Sequence, residues 1–113
     1  MKVSDVMTRK VELSQPGQTI QAAAQAMARI DSGMLPVAEN DRLVGIITDR
    51  DIAIRAVGEG RDPQKTLVRD VMSAEVKYVF DDEDVDEVAE NMAQLQVRRL
   101  PVVTREKRLC GVV

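Results

Sequence analysis

The chain is written twice. "VSDVMTRKVELSQPGQTIQAAAQAMARIDSGMLPV" from Val3 aligns with "VRDVMSAEVKYVFDDEDVDEVAENMAQLQVRRLPV" from Val68 without a gap, at an offset of 65. Asp5-Val6-Met7 falls on Asp70-Val71-Met72, Met27 on Met92, and Leu35-Pro36-Val37 on Leu100-Pro101-Val102. One extra residue in the following turn of the second copy then brings Arg42-Leu43 onto Arg108-Leu109 and Gly45 onto Gly111. A duplication constrains every later reading, because both copies must adopt one local structure.

Each copy has the same coarse order. A "DVM" turn precedes a short extended piece, "KVELS" or "EVKYV". Ile20, Ala23, Ala24, Met27 and Ile30 then recur at helical spacing, as do Val85, Val88, Ala89, Met92 and Leu95. Thr19 and Asp84 stand at equivalent N-cap positions, and Glu87 three residues after Asp84 suggests a capping box. "MLPVAE" and "RLVGIIT" read as two strands joined by the polar turn "NDR". "DRDIAIRAV" is a second helix with Ile52, Ile54 and Val57 apolar, ended by Gly58. The unit is therefore β-α-β-β-α, an α+β class of fold. One copy could hardly cover both faces of its small sheet, so the two copies are expected to pack sheet to sheet about a pseudo-two-fold axis. Repeat one spans 1–60, a linker "GEGRDPQKT" reaches into 61–67, and repeat two spans 68–113. Repeat two stops partway through its last strand and is expected to continue with its own "TDRDI".

Composition narrows the chemistry. The 113 residues carry no histidine, which removes Ser-His-Asp and Cys-His catalysis and His-ligated zinc. No phosphate loop of the GxxxxGK[ST] kind is present. A net charge of -3, with only Tyr78 and Phe80 as aromatics, disfavours nucleic acid as a partner. No apolar run approaches the roughly 18 residues of a membrane span, and no signal peptide opens the chain, so a cytoplasmic protein is expected. Cys110, the only cysteine, lies in "LCGVV" and reads as a small buried thiol. Met7, Met27, Met72 and Met92 occupy matched places and read as core. The acidic run Asp81 to Glu87 lacks the glycine and distal glutamate of a calcium loop, and it answers a helix dipole instead of holding a metal. No enzyme is expected.

"GIITDRD", Gly45 to Asp51, bears on function. Thr48 followed three residues later by Asp51 is an ordinary way to start a helix. The same pair could serve a ligand, since a carboxylate there can accept paired hydroxyls and the nearby amides favour a phosphate. Both jobs are compatible.

The duplicated unit, with its "DVM" openings, "MLPV" and "RLPV" strands and "GIITDRD", resembles a tandem pair of CBS domains, the Bateman module, and the layout is similar to small stand-alone bacterial CBS-domain proteins. That resemblance implies a non-catalytic regulatory module, an energy or redox sensor that binds AMP, ADP, ATP, NAD or S-adenosylmethionine in a cleft between repeats. It implies roles for Thr48 and Asp51 on the ribose and phosphate region, with Ile46, Ile47, Gly33 and Met34 beside them. It further implies that the first strand of the opposite copy, here Val76, lines the adenine. The position three before the strand proline is Gly33 in repeat one and Arg98 in repeat two, where Arg98 would meet phosphate. Arg99 is the weaker candidate, since adjacent strand residues face opposite ways; a solvated basic pair is the other reading of both. The alternative function is an interaction module with vestigial clefts. The resemblance also implies a homodimer formed through the CBS helices, by "IAIRAV" and "VAENMAQL", and an effector protein whose identity the sequence does not give.

Overall fold

A computed structural model describes residues 1–113. Its elements are α1 Val3–Val6, α2 Ile20–Ile30, β1 Met34–Glu39, β2 Arg42–Thr48, α3 Asp49–Ile52 continued by a π-helical turn Ala53–Val57, α4 Val68–Val71, β3 Val79–Phe80, α5 Val85–Leu95, β4 Pro101–Val103 and β5 Leu109–Val112. The class is α+β. No helix is long and apolar enough to cross a membrane.

The elements repeat as the sequence does, but the compact units are cut differently from the repeats. One unit holds Met1–Val11, Asp41–Leu43 and Lys77–Val113; the other holds Glu12–Asn40 and Val44–Val76. The "DVM" segment of each repeat is thus built into the unit that carries the other repeat's first helix and most of its hairpin.

In the second of these units, Ser14 pairs in parallel with Val37 of β1, β1 pairs with β2, and Ile46 of β2 pairs antiparallel with Ser73. In the first, Val79 pairs in parallel with Val102, β4 pairs antiparallel with β5, and Val112 of β5 pairs antiparallel with Thr8. The sheet order is therefore the same in each. The first strand of the repeat is shorter than "KVELS" or "EVKYV" suggests, shrinking to a bridge at Ser14 and to two residues at Val79–Phe80. The parallel pairing demands a crossover, which α2 and α5 supply.

Local chemistry sets the ends of these elements. The Thr19 hydroxyl accepts from the Ala22 amide, and the Asp84 carboxylate accepts from the amides of Asp86 and Glu87. Both helices close on a left-handed residue, Asp31 at φ 53° and Gln96 at φ 57°. The "NDR" turn takes positive φ at both Asn40 and Asp41, which matches the twist of a tight hairpin. Asp5 and Asp70 explain the "DVM" turns, because each carboxylate accepts the amide three residues before it, from Lys2 and Leu67.

One core gathers Ile20, Ala23, Ala26, Met27, Leu35, Val37, Ile47, Ala56, Val68 and Val71. The other gathers Val3, Val79, Val88, Leu100 and Val102, with Met7 and Met92 packed against it. Burying each branched side chain stabilises the fold by roughly 1.5–3 kcal/mol. Ala26, not Ala24, faces the core, and Ile30, Ile54, Val57 and Leu95 are exposed. The end of repeat one buries Ala56 because its last turn is π-helical, which rotates the face expected from a 3.6-residue period. Gly58 follows that turn in right-handed conformation (φ -61°), and the left-handed residue comes two positions later at Gly60. Cys110 is half-buried, not the fully buried thiol expected; its thiol donates to the Val102 carbonyl, and burial pushes its pKa up from the ordinary range.

Arg105 lies 4.0 Å from the centroid of the Phe80 ring and grips both oxygens of Asp82, at 2.7 to 3.1 Å. The Arg105 hydrogen bonds hold the Asp82 carboxyl below the usual carboxylate range. A depressed folded value means a contribution present at neutral pH and lost as the pH falls through it. Asp82→Asn should therefore lower Tm slightly at pH 7. The difference from wild type should vanish in acid below the ordinary carboxylate range and shrink in high salt, which melts at several pH values will check.

Candidate ligand site at the start of the third helix

The Thr48 hydroxyl accepts from the Asp51 amide at 3.1 Å, and Asp51 Oδ2 accepts from the Thr48 amide at 3.1 Å. This reciprocal capping box starts α3 where β2 ends. The helix-starting job of the pair is thus realised in full. It occupies only half of the Asp51 carboxylate. Oδ1 accepts no hydrogen bond, and Arg55 Nε stands 4.0 Å from it. The Asp51 side chain is 12% exposed, enough for one oxygen to reach a ligand from an otherwise sheltered place.

Arg55 in turn donates to the carbonyls of Val71 and Met72 at 3.3 and 3.2 Å. It connects the end of α3 to the "DVM" turn of repeat two, which packs on the same strand: Ile46 and Ser73 exchange backbone hydrogen bonds of 2.9 Å in both directions. Nothing in the residue pattern singled Arg55 out; its i, i+4 spacing from Asp51 was the available signal.

Gly33 lies beside this cap. Its carbonyl accepts from the Asp49 amide at 2.9 Å, and the Asp49 carboxylate occupies the space a side chain would take, a Cβ there falling 2.6 Å from Asp49 Oδ2. A side chain at Gly33 would have to displace the exposed Asp49 carboxylate, a second acidic group beside the cap. With Asp49 and Asp51 both present, this end of the repeat suits hydroxyl donors far better than phosphate oxygens.

The remaining candidates divide. Met34 and Ile46 are half-buried, and Val76 is half-buried at the end of the same compact unit, outside any strand. Ile47 is fully buried in the core, so its side chain is not available to a ligand. Arg98 and Arg99 are exposed, belong to the other compact unit and precede β4 instead of lying in it. The Arg98 guanidinium makes no hydrogen bond or ion pair within the chain. No group of three or more His, Cys, Asp or Glu side chains converges as a metal site would require.

The CBS-domain pattern matches residues 3–58 and again residues 68–113, and the chain belongs to the CBS-domain family. It is 43% identical over 111 residues to the CBS domain-containing protein YhcV of Bacillus subtilis, covering 98% of this chain and 78% of that one. The crystal structure of Hypoxic Response Protein I with two coordinated zinc ions superposes with a TM-score of 0.88 at 35% identity, over 100% of this chain and 92% of that one. The CBS domain pair of protein MJ0100, solved in complex with 5'-methylthioadenosine and S-adenosyl-L-methionine, superposes with a TM-score of 0.83 at 29% identity, over 100% and 88% of the two chains.

Proposed function

We propose that the chain is a non-catalytic regulatory module that binds an adenosine-containing molecule through Thr48 and Asp51. The observation that carries this reading is the half-used Asp51 carboxylate: Oδ2 is committed to the cap, while Oδ1 accepts no hydrogen bond and sits at the end of a strand whose Ile46 offers apolar surface. A ribose with two adjacent hydroxyls supplies the donors that such an oxygen lacks. Met34, Val76 and Ile46 are the apolar surroundings proposed for the adenine, and Arg98, through the family pattern, is the cation proposed for a phosphate, with Arg99 as its weaker companion. The adenosine ligands bound by the MJ0100 pair support the class of molecule.

The acidic pair Asp49 and Asp51 favours ligands with little negative charge near the ribose. Among AMP, ADP, ATP, NAD and S-adenosylmethionine, the module should prefer AMP or the cationic S-adenosylmethionine to ATP. A thermal-shift screen of these five on the wild-type chain tests the reading. A ligand at a hundred times its Kd adds roughly 2.7 kcal/mol, a shift of several degrees for a domain of this size. If none of the five raises Tm, the reading is wrong.

A second reading is a homodimerising interaction module that acts on an effector protein. Its support is the exposure of Ile54 and Val57, at 54% and 65%, on the π-helical turn. A second copy covering them would bury two apolar side chains that the chain alone leaves in water. Light scattering decides this; a monomer at high concentration excludes it.

A further inference from the structure

Equivalent places in the two compact units differ: one holds an ion pair stacked on an aromatic ring, the other a cavity. In the unit that holds Lys77–Val113, Arg105 of the β4–β5 turn stacks on Phe80 and forks onto Asp82 at the end of β3. Across the offset, Gln15 stands for Phe80, Gly17 for Asp82 and Arg69 for Ser4. The backbone frame is retained: the Arg69 amide donates to the Pro16 carbonyl as the Ser4 amide donates to the Asp81 carbonyl. The unit of Glu12–Asn40 and Val44–Val76 thus has a cation at this place, Arg69 of the "DVM" segment of repeat two, without the carboxylate.

What remains is a cavity of about 350 Å³ lined by Gln15, Pro16, Gly17, Ala38, Glu39, Asn40 and Arg69. That volume lies in the range of small-molecule sites. The guanidinium of Arg69 and the carboxylate of Glu39 make no hydrogen bond or ion pair with the rest of the chain, and neither do the side-chain amides of Gln15 and Asn40. Arg69 Nη2 lies 3.4 Å from where a Gly17 Cβ would be, so the guanidinium faces the position of the absent carboxylate. Gly17 does not adopt a left-handed φ, and its backbone does not require glycine.

We propose that this groove binds a small zwitterionic carboxylate of the amino-acid class, whose carboxylate pairs with Arg69 as Asp82 pairs with Arg105. An Arg fork suits a carboxylate bidentately, and Glu39 supplies the opposite charge for an ammonium group. Gln15 and Asn40 offer donors and acceptors between the two.

The test is an amide-resolved NMR titration of the full chain with each of the twenty amino acids, with succinate and inorganic phosphate as probes lacking the ammonium. One or more amino acids should shift the amides of Gly17, Ala38 and Asn40 in a saturable way. Arg69→Gln should weaken that binding tenfold or more. Gly17→Asp, which sets a carboxylate beside Arg69 in the manner of Asp82, should abolish it while the fold and Tm are retained. Asp51→Ala should leave it unchanged, since the groove shares no lining residue with the adenosine site. Absence of saturation with every amino acid, survival of binding at wild-type affinity in Gly17→Asp, or equal binding of succinate and phosphate overturns the proposal.

Discussion

Gly111→Ala should lower Tm by roughly 5–15 °C, and Gly45→Ala by less. The cause is the way the "DVM" turns sit. A Cβ on Gly111 would fall 2.7 Å from the Thr8 carbonyl oxygen and 2.8 Å from Met7 Sδ. A Cβ on Gly45 would fall 2.8 Å from Met72 Sδ and 3.0 Å from the Ser73 carbonyl oxygen. Overpacking of this kind costs about 1–3 kcal/mol, and each kcal/mol moves Tm by on the order of 4–8 °C in a small domain. The two positions differ in what must yield. At Gly45 the tightest contact is the flexible end of a methionine, so a second change, Met72→Ala, should recover part of the loss. At Gly111 the tightest contact is backbone, and shortening Met7 should recover little. Gly17→Ala is the control: its Cβ would meet only Arg69 Nη2, at 3.4 Å, and a surface change of this kind stays within about 0.5 kcal/mol. Equal tolerance of all three substitutions in thermal melts would show that the glycine of "GIITDRD" has no packing role.

Asp51→Ala should do two separable things. It removes the carboxylate that caps the Thr48 amide, costing about 1 kcal/mol. It also removes the acceptor proposed for the ribose, a charge-assisted contact of roughly 1.5–3 kcal/mol, or tenfold and more in affinity. Asp51→Asn separates them. An amide oxygen can still accept from Thr48, so stability should stay near wild type, while the charge that strengthens the ribose contact is gone.

The repeat made most of the fold legible. "MLPVAE" and "RLVGIIT" are β1 and β2 to the residue, and Thr19 and Asp84 are the caps of α2 and α5. Each of these rests on local chemistry that a sequence displays. The helix ends at Asp31 and Gln96 were not legible, because the left-handed residue is neither Gly nor Asn. The π-helical turn was hidden for a related reason: Ile54 and Val57 fit a 3.6-residue period that the backbone abandons after Ile52. The assignment of each "DVM" segment to the unit holding the other repeat's body is a long-range pairing, through Thr8–Val112 and Ile46–Ser73, that no local window records.

At the site, Thr48 and Asp51 announced themselves by spacing, while Asp49 and Arg55 did not. Asp49 becomes meaningful only when the chain folds it against Gly33, and Arg55 only when its guanidinium reaches the carbonyls of Val71 and Met72, sixteen and seventeen residues on. Ile47 shows the opposite error. It lies within the motif beside Thr48, yet strand alternation sends its side chain into the core.

Titration calorimetry of the adenosine ligand that raises Tm most, against wild type, Asp51→Asn and Asp51→Ala, tests the central claim most directly. The account requires affinity to fall at least tenfold in both variants while Asp51→Asn melts within about 0.5 kcal/mol of wild type, the range of a near-neutral change. Wild-type affinity in Asp51→Asn and Asp51→Ala would contradict it, leaving Thr48 and Asp51 as a helix cap alone.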